Sequence, residues 1–379
     1  MDGIAWPSRE YSVHWVSRVG DWHFCFCRRR CLPDSSFYHA LAALSFSVEL
    51  AADAFLKSFG CYQVKPSELT LPSFAKINWS LRVLGKRPDA YHEVSTVLQT
   101  VSLHDELTFS ARIDDQLVLT CNDKNLPVDK TNLILQAAFA LRERLQLKLG
   151  ATIDLRKRIP AKAGLGGASS NAAVALLGLR HLWQVDVTTS ELMRIGSDLG
   201  ADVPFFFAGG RALGGGTGTK VSALADISER PLIIVFPNAT VATREAYEAL
   251  DAASLTSFDP VSILASSFAG SISTDCDQWP LHNDFEAVIF EIEPEIRRAR
   301  DALLESGARG ALLAGSGSSV FGIFNSDEAR QQALKTFRSE VGWHIFSCDT
   351  LSRNDYFRAL GPCSTPLLRS FNMLSDTGA

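Results

Sequence analysis

From Leu69 to Val83, Leu71, Ala75, Ile77, Trp79, Leu81 and Val83 alternate with Thr70, Pro72, Phe74, Lys76, Asn78, Ser80 and Arg82. A period of two predicts a half-buried strand, with Phe74, Lys76 and Asn78 together on its more polar face. A turn over Gly85 to Ala90 follows, then two strand-like runs, Val94 to Val101 and Asp105 to Phe109. Asp129 or Thr131 can cap a helix reaching about Leu147, and Ala151 to Ile159 is a further strand. Ala172 to Leu179, dense in Ala, Leu and Val, predicts a buried helix. Ser190 can cap another helix that stops at Gly200, a residue that tolerates positive φ. Pro231 to Pro237 is a fully apolar strand, and Glu286 to Ser306 predicts a helix ended by Gly307. Ala311 to Phe324 has the pattern of strand, glycine turn and strand.

Between the strand ending at Ile159 and the helix starting near Ala172 lies Pro160-Ala161-Lys162-Ala163-Gly164-Leu165-Gly166-Gly167-Ala168-Ser169-Ser170-Asn171. The first N–H groups of a helix lack intrahelical partners and lie at the positive end of its dipole, which suits an anion. Glycines let those amides approach a phosphate, Ser169 and Ser170 add hydroxyl donors, and Lys162 adds positive charge. No lysine follows the paired glycines as a Walker loop requires, and Ser169 stands where the dinucleotide fingerprint needs a third Gly or Ala. The alternative is a tight turn whose small residues serve only helix packing.

Asp202, in Gly200-Ala201-Asp202-Val203-Pro204-Phe205-Phe206-Phe207, lies at the negative end of a predicted helix and against an apolar run. A carboxylate there is unfavourable unless a cation such as lysine compensates it. Gly315-Ser316-Gly317, within the second glycine turn, is another place where bare backbone can approach a ligand.

The chain has 379 residues, 46% hydrophobic and 21% charged, enough for two domains each with its own core. A net charge of −5 supplies no basic field for nucleic acid, and no apolar run is long enough to span a bilayer. Eight scattered cysteines suggest a reducing, cytoplasmic location, and Cys25, Cys27 and Cys31 match no structural zinc spacing. Residues 1–66 differ in composition, with an amphipathic helix expected around Leu41 to Phe55. They are expected to be a dispensable extension or a start-site artefact.

Leu71 to Asn78, Pro160 to Asn171 and Leu313 to Phe321 together resemble the three signatures of the GHMP kinases, the family of galactokinase and the homoserine, mevalonate and phosphomevalonate kinases. The first signature continues through Gly85-Lys86-Arg87-Pro88-Asp89-Ala90-Tyr91-His92-Glu93. With Gly200 to Phe206 the likeness narrows to the branch acting on a cytidylylated methylerythritol, and it runs from about Leu69 to about Arg353. The resemblance implies a two-domain α/β (α+β) GHMP kinase fold. Residues 67–228 would be the ATP-binding domain, with the glycine loop at a helix N-terminus. Residues 229–355 would be a ferredoxin-like α+β domain, and 356–379 a tail.

It further implies γ-phosphoryl transfer from ATP with Mg2+, with Lys76 and Asp202 as the catalytic pair and Pro160 to Ser170 binding ATP. Tyr91 and His92 would bind cytosine, Asn78 would contact substrate, and Tyr247 is a weaker candidate for the opposite stacking face. The metal ligands are not implied. Two departures stand out: Ala90 precedes Tyr91-His92 where the family usually has glycine, and Ala168 replaces a common third glycine. The partners expected are ATP and the small-molecule acceptor, with no nucleic acid or membrane, and a homodimer is left open. A mevalonate- or homoserine-type kinase and a non-catalytic nucleotide sensor on the same fold are the alternatives. The first does not need Tyr91-His92, and the second would tend to lose Lys76 or Asp202.

Overall fold

The computed structural model describes residues 11–18, 21–28, 68–252, 281–337, 340–365 and 367. The chain forms two units, residues 1–67 and 68–379. In the first, β1 (Tyr11–Arg18) pairs antiparallel with β2 (Asp21–Arg28). The expected helix around Leu41 to Phe55, Cys31 and the side chains of Cys25 and Cys27 lie outside the described residues.

The second unit is built on two sheets. The larger has seven strands: β3 (Leu69–Lys86), β4 (His92–Arg112), β5 (Leu117–Cys121), β6 (Gly150–Arg156), β7 (Arg211–Gly215), β8 (Lys220–Ala223) and the short β10 (His282–Asn283). β4 is one strand of 21 residues where two were expected. β3 pairs along it from His92 to Phe109, whereas on the other edge it changes partner: Thr96–Gln99 pairs with β7 and Glu106–Arg112 with β6. β3 is also not half-buried: every residue from Ser73 to Trp79 is buried. Packing on both sides explains this, because Leu71 and Phe74 join one core while Ala75, Ile77 and Trp79 join another.

Helices α1 (Leu133–Arg144), α2 (Gly167–Leu182) and α3 (Thr189–Leu199) supply the core packed with Phe109, Ile153 and Leu155 of this sheet. The caps differ from expectation. Asn132 caps α1, accepting from the Ile134 N–H, because Asp129 is engaged by Thr131. Thr188 caps α3, accepting from the Glu191 N–H. Gly200 does end α3, but at φ 172°, extended backbone open to any residue. A short helix, α4 (Phe205–Ala208), buries its three phenylalanines.

The smaller sheet comprises β9 (Pro231–Pro237), β11 (Gly310–Leu313), β12 (Val320–Ile323) and β13 (Trp343–Asp349), all antiparallel, in the order β11-β12-β9-β13. With α5 (Thr243–Ala252) after β9 and α8 (Asp327–Thr336) after β12, the succession is βαββαβ, the ferredoxin-like arrangement. The helix expected over Glu286 to Ser306 is two, α6 (Glu286–Ile292) and α7 (Pro294–Glu305). Pro294 has no N–H for a continuing ladder and starts a new helix instead. A further helix, α9 (Arg353–Leu360), returns to the larger sheet's core through Tyr356, Phe357 and Leu360. Between the sheets, Ala75, Ile77, Val97 and Val101 pack with Ile234, Leu312 and Phe321. Ile159, Ala163 and Leu165 of the glycine segment are buried in that same layer, so the loop is anchored by its own apolar residues. Among the described residues no helix is long and apolar enough to cross a membrane.

Candidate active site

The three glycine- and lysine-bearing segments meet at Lys76. Its backbone N–H donates to the carbonyl of Leu165 at 2.9 Å, tying β3 to the glycine loop. A Cβ on Gly166 would lie 2.9 Å from Lys76 Cγ, and one on Gly315 would lie 3.1 Å from its Nζ. Gly166 (φ 68°) caps α2 in the left-handed region, so both space and backbone demand glycine there. Gly164 is packed as closely, since its Cβ would sit 1.9 Å from the Ala314 carbonyl oxygen. The Ser319 N–H donates to the Ala163 carbonyl at 3.1 Å. The third-motif turn, Gly315 to Gly317, therefore belongs to the same site as the first glycine loop.

Asp202 is the partner Lys76 required: Nζ to Oδ2 is 3.4 Å, with the lysine side chain 4% exposed and the aspartate 35%. An ammonium withdrawn from water needs such compensation. Its other partner is Asn78, whose Oδ1 accepts from Nζ at 2.9 Å. Asn78 Nδ2 donates to Thr96 Oγ1 at 2.8 Å, and that hydroxyl donates to the Ser80 carbonyl at 2.7 Å. Asn78 is thus buried and committed to orienting Lys76. The pairing of β3 with β4 makes this network, and sequence spacing gave no sign of Thr96.

The glycine loop leads into α2 as expected, with Gly167 its first residue. Ala168 lies in the first helical turn, where alanine is a better helix former than glycine. Pro160, Ala161 and Lys162 lie on the outer part of the loop, Lys162 at φ 57°. The two serines diverge. Ser170 is buried and accepts from the Ser73 hydroxyl at 2.8 Å, whereas Ser169 is half-buried, with its hydroxyl beside Gly200 and hence beside the Asp202 turn. Ser316, at the other side, is within 3.1 Å of the Thr243 hydroxyl.

The expected aromatics are split. Tyr91 is 67% exposed at the end of a turn closed by Arg87 and Asp89, and Ala90 there takes φ 68°. Arg87 holds the Asp89 carboxyl below the usual carboxylate range. His92 stacks on Tyr247 with ring centroids 4.6 Å apart, and Tyr247 meets Phe285 edge-on at 4.8 Å. Burial pushes the Tyr247 hydroxyl up to about 12, and the negative charge of Asp202 adds to this. Tyr247 therefore lies in the field of Asp202 and joins the His92 end of the site to the Lys76 end.

Supporting residues that sequence patterning did not flag surround these groups. Asn283 donates to the carbonyls of Leu313 (2.9 Å) and Gly315 (2.7 Å), fixing the third-motif turn. Arg353 donates to the carbonyls of Ala208, Gly209, Leu224 and Arg211, and the Tyr356 hydroxyl to that of Phe206. Together they hold the segment that follows Asp202.

A lysine–carboxylate pair beside a glycine-rich helix N-terminus, on a βαββαβ lobe packed against a mixed sheet, defines a small-molecule phosphotransferase of the GHMP class. Comparison with known proteins agrees. Residues 132–210 match the model of the GHMP kinases N terminal domain, and 239–342 match GHMP kinases C terminal. The 4-diphosphocytidyl-2-C-methyl-D-erythritol kinase of Syntrophus aciditrophicus is 39% identical over 278 residues, 73% of this chain and 98% of that one. The enzyme so named from Protochlamydia amoebophila is 42% identical over 255 residues, 67% of this chain and 84% of that one. A crystal structure of 4-(cytidine 5'-diphospho)-2C-methyl-D-erythritol kinase superimposes with a TM-score of 0.61 at 31% identity, covering 74% of this chain and 99% of its own. The chain belongs to the 4-diphosphocytidyl-2-C-methyl-D-erythritol kinase family of ATP-dependent GHMP kinases.

Proposed function

We propose that this protein transfers the γ-phosphoryl group of ATP to the 2-hydroxyl of 4-diphosphocytidyl-2-C-methyl-D-erythritol, a step of non-mevalonate isoprenoid precursor synthesis. The observation that carries this is the 3.4 Å Lys76–Asp202 pair set against Gly166 and Gly315. Asp202 accepts the proton of the attacking hydroxyl as that oxygen bonds to the γ-phosphorus and the bond from this phosphorus to the β–γ bridging oxygen breaks, releasing ADP. Lys76 pairs with that carboxylate and faces the negative charge spread over the transferring phosphoryl oxygens. Asn78 and Thr96 hold Lys76 in place. The amides of Gly166 to Ser169 and the positive end of α2 bind the ATP phosphates.

Residues 67–228 would carry the nucleotide and 229–355 would complete the acceptor side. Tyr91 offers a stacking face to cytosine, His92 hydrogen-bonds its edge, and Tyr247 supports His92 from behind. Among the described residues no group of three or more His, Cys, Asp or Glu could hold a metal by itself. That fits Mg2+ carried on the ATP phosphates, an ion that keeps much of its water shell and takes few protein ligands. The Ser169 hydroxyl and the Asp202 carboxylate are the oxygen donors at hand, and the ion would neutralise phosphate charge.

The test is phosphorus NMR of the product formed from ATP and the cytidylyl acceptor. A new phosphomonoester resonance coupled to the branched carbon that bears the 2-hydroxyl supports the assignment. Phosphorylation at another hydroxyl would overturn it.

A further inference from the structure

One fully buried carboxylate has no part in the chemistry above. Asp105 stands on β4 in the gap between its pairing with β7 and its pairing with β6, which begins at Glu106. It shows no exposed surface, yet both its oxygens are doubly engaged. Oδ1 accepts from the backbone N–H of Arg158 at 2.7 Å and of Ile159 at 2.8 Å. Oδ2 accepts from Lys157 Nζ at 2.8 Å and from Asn171 Nδ2 at 3.1 Å.

These donors flank the glycine loop: Arg158 and Ile159 precede Pro160, and Asn171 follows Ser170 on α2. We propose that Asp105 is the positioning residue of the ATP-phosphate loop, clamping both its ends to one carboxylate from the neighbouring strand. The inference rests on the kinase assignment of that loop. Four donors use the carboxylate's acceptor capacity in full, so neither end can move without breaking a charge-assisted bond.

Charge balance explains Lys157. A bare carboxylate behind a helix N-terminus would oppose the phosphates in front of it. The Lys157 ammonium, 8% exposed, neutralises it and also donates to the Ile159 carbonyl. It sits close beneath the start of α2, since a Cβ on Gly167 would come within 3.2 Å of its Nζ. The pair fixes the loop while adding no net charge.

Asparagine at position 105 would have to turn its NH2 group against two of the four donors, releasing one end of the loop. The Asp105→Asn variant is assayed with ATP and the acceptor varied in turn, alongside direct titration with a non-hydrolysable ATP analogue. We expect the KM for ATP and the Kd of the analogue to rise about tenfold or more, with the acceptor KM within about twofold of wild type. A merely structural role would lower the melting temperature while leaving analogue affinity unchanged, or would raise both KM values together; either result overturns the inference. Should Asp105→Asn fail to fold, Asn171→Ala removes one donor and leaves the charge pair intact. It should weaken the analogue about threefold, and unchanged affinity would count against the clamp. If the wild type binds the analogue but phosphorylates no acceptor, the kinase assignment falls, and the titration still decides the role of Asp105.

Discussion

At the proposed phosphate end of the site Lys76 is 4% exposed, and Asn78, Thr96 and Asp105 are buried and bonded to neighbours on other elements. At the proposed cytidine end Tyr91 is 67% exposed on a turn closed by its own neighbours Arg87 and Asp89. Left-handed backbone occurs at both ends: at Gly164, Gly166, Gly315, Gly317 and also Lys162 at the first, and at Ala90, φ 68°, at the second. Phosphoryl transfer needs groups held before the substrate arrives, and such groups are fixed by packing between elements. Base stacking needs only an accessible ring on a short turn.

Replacing either member of the proposed catalytic pair should have the largest effect. Asp202→Asn and Lys76→Ala are each expected to cut kcat by about a hundred- to ten-thousand-fold, while ATP affinity by titration changes little. Substantial turnover in Asp202→Asn would remove the base assignment. Tyr91→Ala should act on the other end alone. Loss of one stacking partner is worth about 1–3 kcal/mol, so the acceptor KM should rise by roughly five- to 150-fold with the ATP KM unchanged. An equal rise in both would show that the two ends are not separable.

Much of this contrast was legible in the sequence. The glycine loop and Asp202 stood out because each broke a local rule, glycines at a helix start and an acid at a helix C-terminus, whereas Lys76, on the more polar face of its strand, stood out through the motif resemblance. β9 and the strand–turn–strand of the third motif also had the expected limits, being short and apolar. What was not legible depends on partners distant in the chain. The continuous β4, the double-sided burial of β3 and the clamp of Asp105 on residues 157–159 and 171 arise from sheet pairing, which a local period does not encode. The Thr188 and Asn132 caps were missed because several capping residues lay side by side, and backbone geometry chose among them. Tyr247 was read as a weaker stacking candidate for the base, and it is packed against Phe285 and stacked on His92 at once.

Smaller effects sharpen the comparison further. Glu286 accepts from the Leu313 N–H at 2.8 Å, just ahead of the third-motif turn. Burial raises its pKa above 4.5, opposed by that hydrogen bond and by the charges of Arg300 and His282, while Asp301 adds to the rise. Just above pH 4.5 the folded protein therefore holds a proton that the unfolded chain has released. Stability falls as pH rises through that window, and the cost persists at neutral pH. Glu286→Gln keeps the acceptor without the charge. It should melt higher than wild type at pH 7, with the difference fading below pH 4.5. A lower melting temperature at pH 7 would mean the attraction of Arg300 and His282 outweighs burial.

Ala90→Gly should have the smallest effect. It relieves a left-handed alanine worth about 1–2 kcal/mol, partly offset by the greater freedom of glycine when unfolded. A rise in melting temperature of about 1–2 °C is expected; a fall would show that the turn is not strained.

The most direct test of the account is ADP release by the purified protein with Mg-ATP and, in parallel, 4-diphosphocytidyl-2-C-methyl-D-erythritol, mevalonate and homoserine. The account predicts turnover with the cytidylyl acceptor and none above background with the other two. Turnover with mevalonate or homoserine instead, or with no acceptor despite ATP binding, would contradict it.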